Sequence, residues 1–569
     1  MSLSSPPSLN ARSGSSLSPG TRNALTLGGL FLLALLIQVV AFNRRIGPYD
    51  EFLSLYGADR VLHGGIPYRD FWTMYGPAQF YVLALFFKVF GTSVLTGRIY
   101  DALIRAGIAC ACFALTRMLA PARWAFAAFA AVALWLACLY YPAYNFPVYP
   151  AMLASLISCL FFSRFLRESS YSRSLFLAGL FVSIATIFRH DSGFYIFLAE
   201  LFMLAWITGL SRRPGDPLLT LLRSFGRRVL LYFAGVGLIA GPVYGAVLLQ
   251  AGFKSVFYQL FYVPAVIYPK VRSLPFLPAE TLEMIRHPFS WDGRLAVESL
   301  IVLFPILAIL SAFLCLFTSR RSRIFPTTWQ RRLFSLLLLL ASLFFVKGLI
   351  RVGPVQLLQS IIVCLIVLAV LFGHLPQLGR INTLPLCITA GFLVLCTLPV
   401  LSQLASSGRL NLRKIVHSGA SDSYDHLCHP SAGLSRGRCV VVEPEVASAV
   451  QEIERRSTPD QTIFIGDGRH DRIFWGDVRL YFLSGRGAVT RWYDLHPGVQ
   501  TTLAIQNEII DSLRQQNPQV IVLNSTWDDT VEPNQSQFSS GVTVLDDYIH
   551  GHYVQQAAYG KISILTPRQ

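Results

Sequence analysis

Asp50 and Glu51 are adjacent carboxylates that follow the chain's first long apolar run, in the polar stretch 43–98. A carboxylate at the rim of an apolar phase is hydrated, paired or used for chemistry. Its chemical use would be to take the proton from an acceptor hydroxyl, as a general base does. The same two residues open a predicted helix, Asp50–Leu62, whose dipole favours acids at its start. Composition leaves capping and catalysis both open. Farther along, Arg69-Asp70-Phe71 reads either as a surface ion pair worth about 0–1 kcal/mol or as a group that binds an acceptor or a metal ion. Gly64, Gly65, Gly76 and Pro77 punctuate turns that fold the loop back on itself.

Cations recur at matching depth. Arg98, Asp101 and Arg105 fall at i, i+3 and i+7, on one face of the next apolar helix. They either pair internally and orient helices, or offer guanidinium groups to a phosphate. Arg189-His190-Asp191 closes one apolar run, and Lys347 and Arg351 close another before Gly353-Pro354. Interfacial snorkelling is the alternative to a ligand role for these groups. Residues 252–294 add Tyr258, Tyr262, Tyr268, Lys270, Arg272, Arg286 and Trp291, an aromatic and basic loop that either covers a site or anchors in headgroups. Asp425-His426-Cys428-His429 matches no closed zinc spacing, so no metal ligands are assigned there. Gly466-Asp467-Gly468 lacks the dinucleotide fingerprint.

The elements that must position these residues are set by composition. Of 569 residues, 53% are hydrophobic and only 14% charged, against roughly 25% charged in soluble domains. This implies a polytopic helical membrane protein. Apolar runs near 24–42, 99–116, 124–141, 147–163, 174–188, 192–210, 229–250, 296–318, 333–350, 355–372 and 384–402 predict eleven spans. Ala78–Phe90, short and carrying Lys88, is read as an interfacial helix. With it excluded, the Arg-rich linkers share one side, which puts the N-terminus in the cytoplasm and residues after about 403 outside. The net charge of +17 is therefore assigned to topology, and no nucleic-acid partner is expected. Residues 1–23 read as a disordered cytoplasmic tail, 24–402 as the membrane module, and 403–569 as a soluble exported α/β domain. In that last part, strands are expected at Arg438–Val442, Thr462–Ile465, Gln519–Leu523 and Lys561–Leu565, and helices at Glu445–Arg456 and Leu503–Gln516. Eight of the ten cysteines lie in apolar runs; Cys428 and Cys439 either pair or stay free.

Asp50-Glu51, then Gly64-Gly65-Ile66-Pro67-Tyr68-Arg69-Asp70-Phe71, then Gly76-Pro77, an amphipathic segment, Phe90-Gly91 and Arg98 together resemble the first outer loop of GT-C membrane glycosyltransferases. The likeness is to the branch of protein O-mannosyltransferases and the lipid A aminoarabinose transferase, with its bacterial glycosyltransferase members. The stretch from Tyr481-Phe482-Leu483 through Arg491-Trp492 to His496-Pro497-Gly498 is similar to exported tails in that group. The resemblance implies a GT-C fold and an enzyme that moves a sugar from a polyprenyl-phosphate donor to a lipid, glycan or protein acceptor on the non-cytoplasmic face. Inversion is implied, with no nucleotide cofactor; a divalent cation stays open. It maps the catalytic acid onto Asp50 with Glu51 beside it; from the residues themselves, Asp70 with Arg69 is assigned to substrate binding, and Arg98, Arg105, Arg189 and Arg351 to the donor phosphate. Membrane lipids are expected partners, and a bacterial inner membrane the location. Two departures stand out: Tyr75 precedes Gly76-Pro77 where many members have Lys or His before Pro-Pro, and the loop at 140–150 carries Asn145 but no acid. The competing class is a polytopic lipid or sugar transporter or flippase, which more often shows repeat symmetry and interrupted helices.

Overall fold

The computed structural model describes residues 18–47, 49–138, 144–168, 172–210, 217–277, 283, 286, 296–297, 299–318, 324–417 and 433–568. Where they are described, the eleven apolar runs lie largely on helices. Among the described residues, six helices are long and apolar enough to cross a membrane: Gly20–Val40, Val94–Leu119, Val148–Arg167, His190–Leu210, Leu222–Ala251 and Leu300–Thr318. Shorter apolar helices include Ala122–Ala137, Ser172–Phe188 and Leu358–Gly373. An apolar segment in lipid must satisfy its own backbone polar groups, and the helix does so within one chain segment. These helices share one apolar core in which Leu358–Gly373 is central: nearly every residue of that helix is buried.

Two elements of the first loop match the sequence reading to the residue, the helices Asp50–Leu62 and Ala78–Phe90. In the second, Phe80, Leu83, Ala84 and Phe87 recur at helical spacing and are buried, whereas Tyr81, Leu85 and Val89 face outward. A helix with one packed face and an apolar outer face suits a position against lipid. Gly76 docks the loop onto the bundle. Its amide donates to the Phe188 carbonyl at 3.2 Å, and a Cβ there would lie 2.2 Å from the Ile187 oxygen. Only glycine permits that approach.

Past the bundle, the helix that starts at Arg380 continues to His417. The expected domain boundary at 402/403 therefore falls inside a helix, because polar residues after Leu401 do not by themselves end one. Beyond it lies a mixed sheet with strand order β2-β1-β3-β5-β4: β1 is Thr462–Asp467, β2 Gly487–Ala488, β3 Ile521–Asn524, β4 Tyr553–Tyr559 and β5 Ile562–Pro567. β1 runs parallel to β2 and β3, and β5 is antiparallel to β3 and β4. Helices Pro444–Arg456 and Leu503–Gln516 flank it. Arg438–Val442, expected as a strand, is not one. Its Val441 instead makes a single bridge to Arg45, with its amide 2.8 Å from the Arg44 carbonyl. That contact stitches the C-terminal part to the start of the first loop. Cys439 is disulfide-bonded; Cys428 and the Asp425–His429 cluster lie outside the described residues.

The C-terminal part and the first loop share a hydrophobic core. Phe52, Tyr56, Phe71, Phe80 and Phe87 from the loop pack with Tyr481, Phe482 and Tyr493. Tyr56 stacks on Tyr481 at 5.0 Å, and Phe52 meets Phe482 edge-on at 5.7 Å. Aromatic pairs at these separations add about 0.5–1.5 kcal/mol each beyond their burial. The sheet thus fixes the loop that carries Asp50.

Candidate active site

Successive residues on a helix point about 100° apart, so Asp50 and Glu51 cannot face the same way. Glu51 points inward and is buried. Arg98 meets it with two hydrogen bonds, 2.7 Å from Nε and 2.8 Å from Nη2. Arg98 also donates to the carbonyls of Asn43 and Arg45, and its guanidinium lies 4.2 Å from the Tyr144 ring centroid. Arg105 is buried in the same way. It pairs with Asp101 at 2.5 Å, donates to the Leu136 carbonyl and stacks 4.3 Å from the Tyr149 ring. The charges of Glu51, Arg98 and Arg105 thus face one another or Asp101 in a buried seam.

Arg69 and Asp70 also pair together, through two 2.8 Å hydrogen bonds. Asp70 accepts the Ile66 amide as well, and the Arg69 bond holds its carboxyl below the usual range. This closes a turn at the loop's outer edge.

Asp50 is half-buried at its helix start. Its charge acts on Tyr75, Tyr268, Asp494 and Arg351, so the polypeptide brings together residues more than 400 positions apart. The preceding residue, Tyr49, donates to Asp494 Oδ1 at 2.5 Å. Burial, reinforced by the Asp50 charge, pushes the Asp494 carboxyl up to about 7 against the lowering effect of that hydrogen bond and of Arg272. Burial and the same two carboxylates raise the Tyr75 phenol well above its ordinary value. His496 stacks beside Trp72 and Tyr268, and burial together with Arg272 lowers it to about 3, so it is neutral.

Two sets of cations border this cluster, each holding one carboxylate. Arg351 pairs with Glu532 at 2.5 Å, and Arg272 lies 3.4 Å from the same group. Burial opposes ionisation of Glu532, but the hydrogen bond from Arg351 and the charge of Arg272 hold it below its usual range. On the other side, Arg189 pairs with Asp191 at 2.9 Å and Lys347 approaches it at 3.4 Å. Lys347 also donates to Gln359 at 2.8 Å. Each set counts two cations to one paired carboxylate, and the Asp50 charge acts on Arg351 beside them. Arg189 and Arg351 act on the Tyr75 and Tyr268 phenols that Asp50 also faces. Cations placed beside a carboxylate in this way can stabilise an anion.

Asp494 and Glu532 were not singled out from the sequence. Their signal was weak, a lone acid inside Trp492-Tyr493-Asp494-Leu495-His496 and another in a polar loop. Among the described residues, no three His, Cys, Asp or Glu side chains gather as metal ligands, and no step is routed through a metal.

Apolar helices joined to a loop that carries this cluster define a polytopic membrane protein of the GT-C fold. The solved structures it is similar to include ArnT from Cupriavidus metallidurans bound to undecaprenyl phosphate, at TM-score 0.53 and 12% identity, covering 96% of this chain and 98% of that one. The apo form of the same protein gives TM-score 0.53 and 13% identity over 95% and 98%. The archaeal oligosaccharyltransferase AglB from Archaeoglobus fulgidus, in complex with an inhibitory peptide and a dolichol-phosphate, gives TM-score 0.45 and 13% identity over 96% and 74%. No protein-family model and no curated protein matches the chain.

Proposed function

We propose that this protein is a membrane glycosyltransferase that moves a sugar from a polyprenyl-phosphate donor to a hydroxyl of a lipid, glycan or protein acceptor. The observation that carries the proposal is the meeting of Asp50 with two cation sets, each of two cations about one carboxylate. It is supported by the likeness over nearly full length to ArnT, which was solved bound to undecaprenyl phosphate. Asp50 takes the acceptor proton while the acceptor oxygen bonds to the anomeric carbon. The bond from that carbon to the phosphate oxygen breaks, and polyprenyl phosphate leaves with the electron pair. Arg351 and Arg189 stabilise the charge that grows on the phosphate. Glu51, Arg98, Asp101 and Arg105 hold the loop against the bundle. Arg69 and Asp70 hold its outer turn.

In this reading the Asp50 end faces away from the cytoplasm, and the eleven helices all span. The sheet lies outside with the first loop, and the location is a bacterial inner membrane. General-base catalysis contributes about 10²–10⁴ in rate, so Asp50→Asn is expected to lower transfer by that factor with normal expression. The measurement is glycoside formation by the purified protein from a synthetic polyprenyl-phosphate sugar. Transfer at the wild-type rate would remove Asp50 from the mechanism.

A further inference from the structure

Three helices that reach the Asp50 site, Val148–Arg167, His190–Leu210 and Thr328–Gly348, also have far ends. There, roughly 30 Å away at 1.5 Å per residue, they enclose a cavity of about 310 Å³. Its walls include Phe165, Ile207 and Trp329, with Arg167 and Arg332 at its lining. Arg167 lies 5.9 Å from the Trp329 ring. Arg228 lies 5.8 Å from the Phe165 ring and donates to the Thr208 hydroxyl. Arg228 and Arg331 bear on Arg332 as like charges. Among the described residues none of Arg167, Arg228 and Arg332 has a carboxylate partner, and the Arg332 Nε is buried without a hydrogen-bond acceptor.

A linker cation that only sets topology stays in water, where its charge costs nothing to keep. The Arg332 Nε has left water and has gained no acceptor, and an unpaired buried donor is expensive. Apolar side chains, Phe165, Leu166, Ile207 and Trp329, share the lining with the cations, which suits an anion that carries hydrocarbon. Basic pockets between helix ends on the cytoplasmic side are suited to anionic headgroups, and an aromatic such as Trp329 belongs at that depth.

We propose that this cavity binds the phosphate of an anionic membrane lipid, with Arg332 and Arg167 on the phosphate and the Phe165–Trp329 wall along the first part of an acyl chain. The site stands apart from the proposed transfer reaction and is tested separately. Native mass spectrometry of the delipidated full chain, offered equal dioleoyl-phosphatidylglycerol and dioleoyl-phosphatidylcholine, is expected to show retained phosphatidylglycerol in preference. Each cation near an anionic headgroup is worth roughly fivefold in binding, so Arg332→Ala is expected to lower that preference by about this factor. Arg223→Ala, an exposed cation of the same end, is expected to leave it intact. Millimolar inorganic phosphate is expected not to displace the lipid; displacement would reassign the site to a free anion and overturn the proposal. So would equal retention of the two lipids, or an Arg332→Ala protein with unchanged preference. Should that variant fail to fold, photo-crosslinking of a diazirine phosphatidylglycerol to the wild type decides: adducts on residues 328–332 are expected, and adducts confined elsewhere overturn the assignment.

Discussion

The two sets of buried charge near the first loop look alike in the sequence and differ in the fold. Along the Val94–Leu119 helix, Arg98 and Arg105 each meet a carboxylate of their own, Glu51 and Asp101, and both guanidinium groups also bond carbonyls and face tyrosine rings. Around Asp50, two cations share each carboxylate. The first arrangement is neutral and closed. The second, in the function proposed, offers cations to an arriving phosphate. What separates a structural charge from a functional one here is the number of partners per cation, and residue type alone does not give it.

The contrast breaks first at Arg98. Removing one member of a buried pair leaves the other uncompensated, at a cost of about 3–5 kcal/mol. Arg98→Ala is therefore expected to unfold at markedly lower temperature in detergent, while the surviving folded fraction keeps its transfer rate per molecule. Replacing both partners, Glu51→Gln with Arg98→Met, is expected to recover part of the loss. A stable Arg98→Ala protein with slow transfer would move Arg98 into the phosphate site and erase the distinction.

Arg351 is the counter-test. It shares Glu532 with Arg272, so its loss strands no buried carboxylate and is expected to change unfolding little. Losing one group that stabilises transition-state charge costs about 10²–10³ in rate, and that is the decrease expected in kcat for Arg351→Ala. A variant that loses stability and keeps kcat would make the Arg351–Glu532 pair purely structural.

How much of this was legible in the sequence follows the range of each signal. Local patterns carried far. Helices Asp50–Leu62, Ala78–Phe90 and Leu503–Gln516 appear with the bounds their periodicity predicts, and Arg189, Asp191, Lys347 and Arg351 could be marked as ionisable residues at the ends of apolar runs. Non-local pairing did not carry. Glu51 and Arg98 lie 47 positions apart, and the helix period says nothing about whether they meet. Asp494 meets Tyr49 across 445 positions, in a region whose apolar alternation reads as a separate domain. Arg438–Val442 has strand composition but only a single bridge to Arg45. Phe52, Tyr56 and Phe71 look like a loop's own small core until Tyr481, Phe482 and Tyr493 fill the other half.

Asp494 gives the finest probe of the Asp50 side, because its proton reports on a shared electrostatic environment. Burial and the Asp50 charge push its carboxyl up to about 7 in the folded protein, whereas an unfolded chain releases that proton near an ordinary value of about 4. Between those limits the folded state holds more protons than the unfolded one, so this residue's contribution to stability falls as pH rises. Asp494→Asn removes the titration and keeps an acceptor for the Tyr49 hydroxyl. The Tm of the variant minus that of the wild type is therefore expected to rise between pH of about 4 and 7 and to level off above. Rate should follow the same group. Above pH of about 7 the wild type gains a second negative charge beside Asp50, which opposes an incoming phosphate, so its transfer is expected to decline there while the variant's does not. A Tm difference that stays constant across this range would mean that Asp494 ionises like a surface acid, and the buried setting described for it beside Asp50 would be wrong.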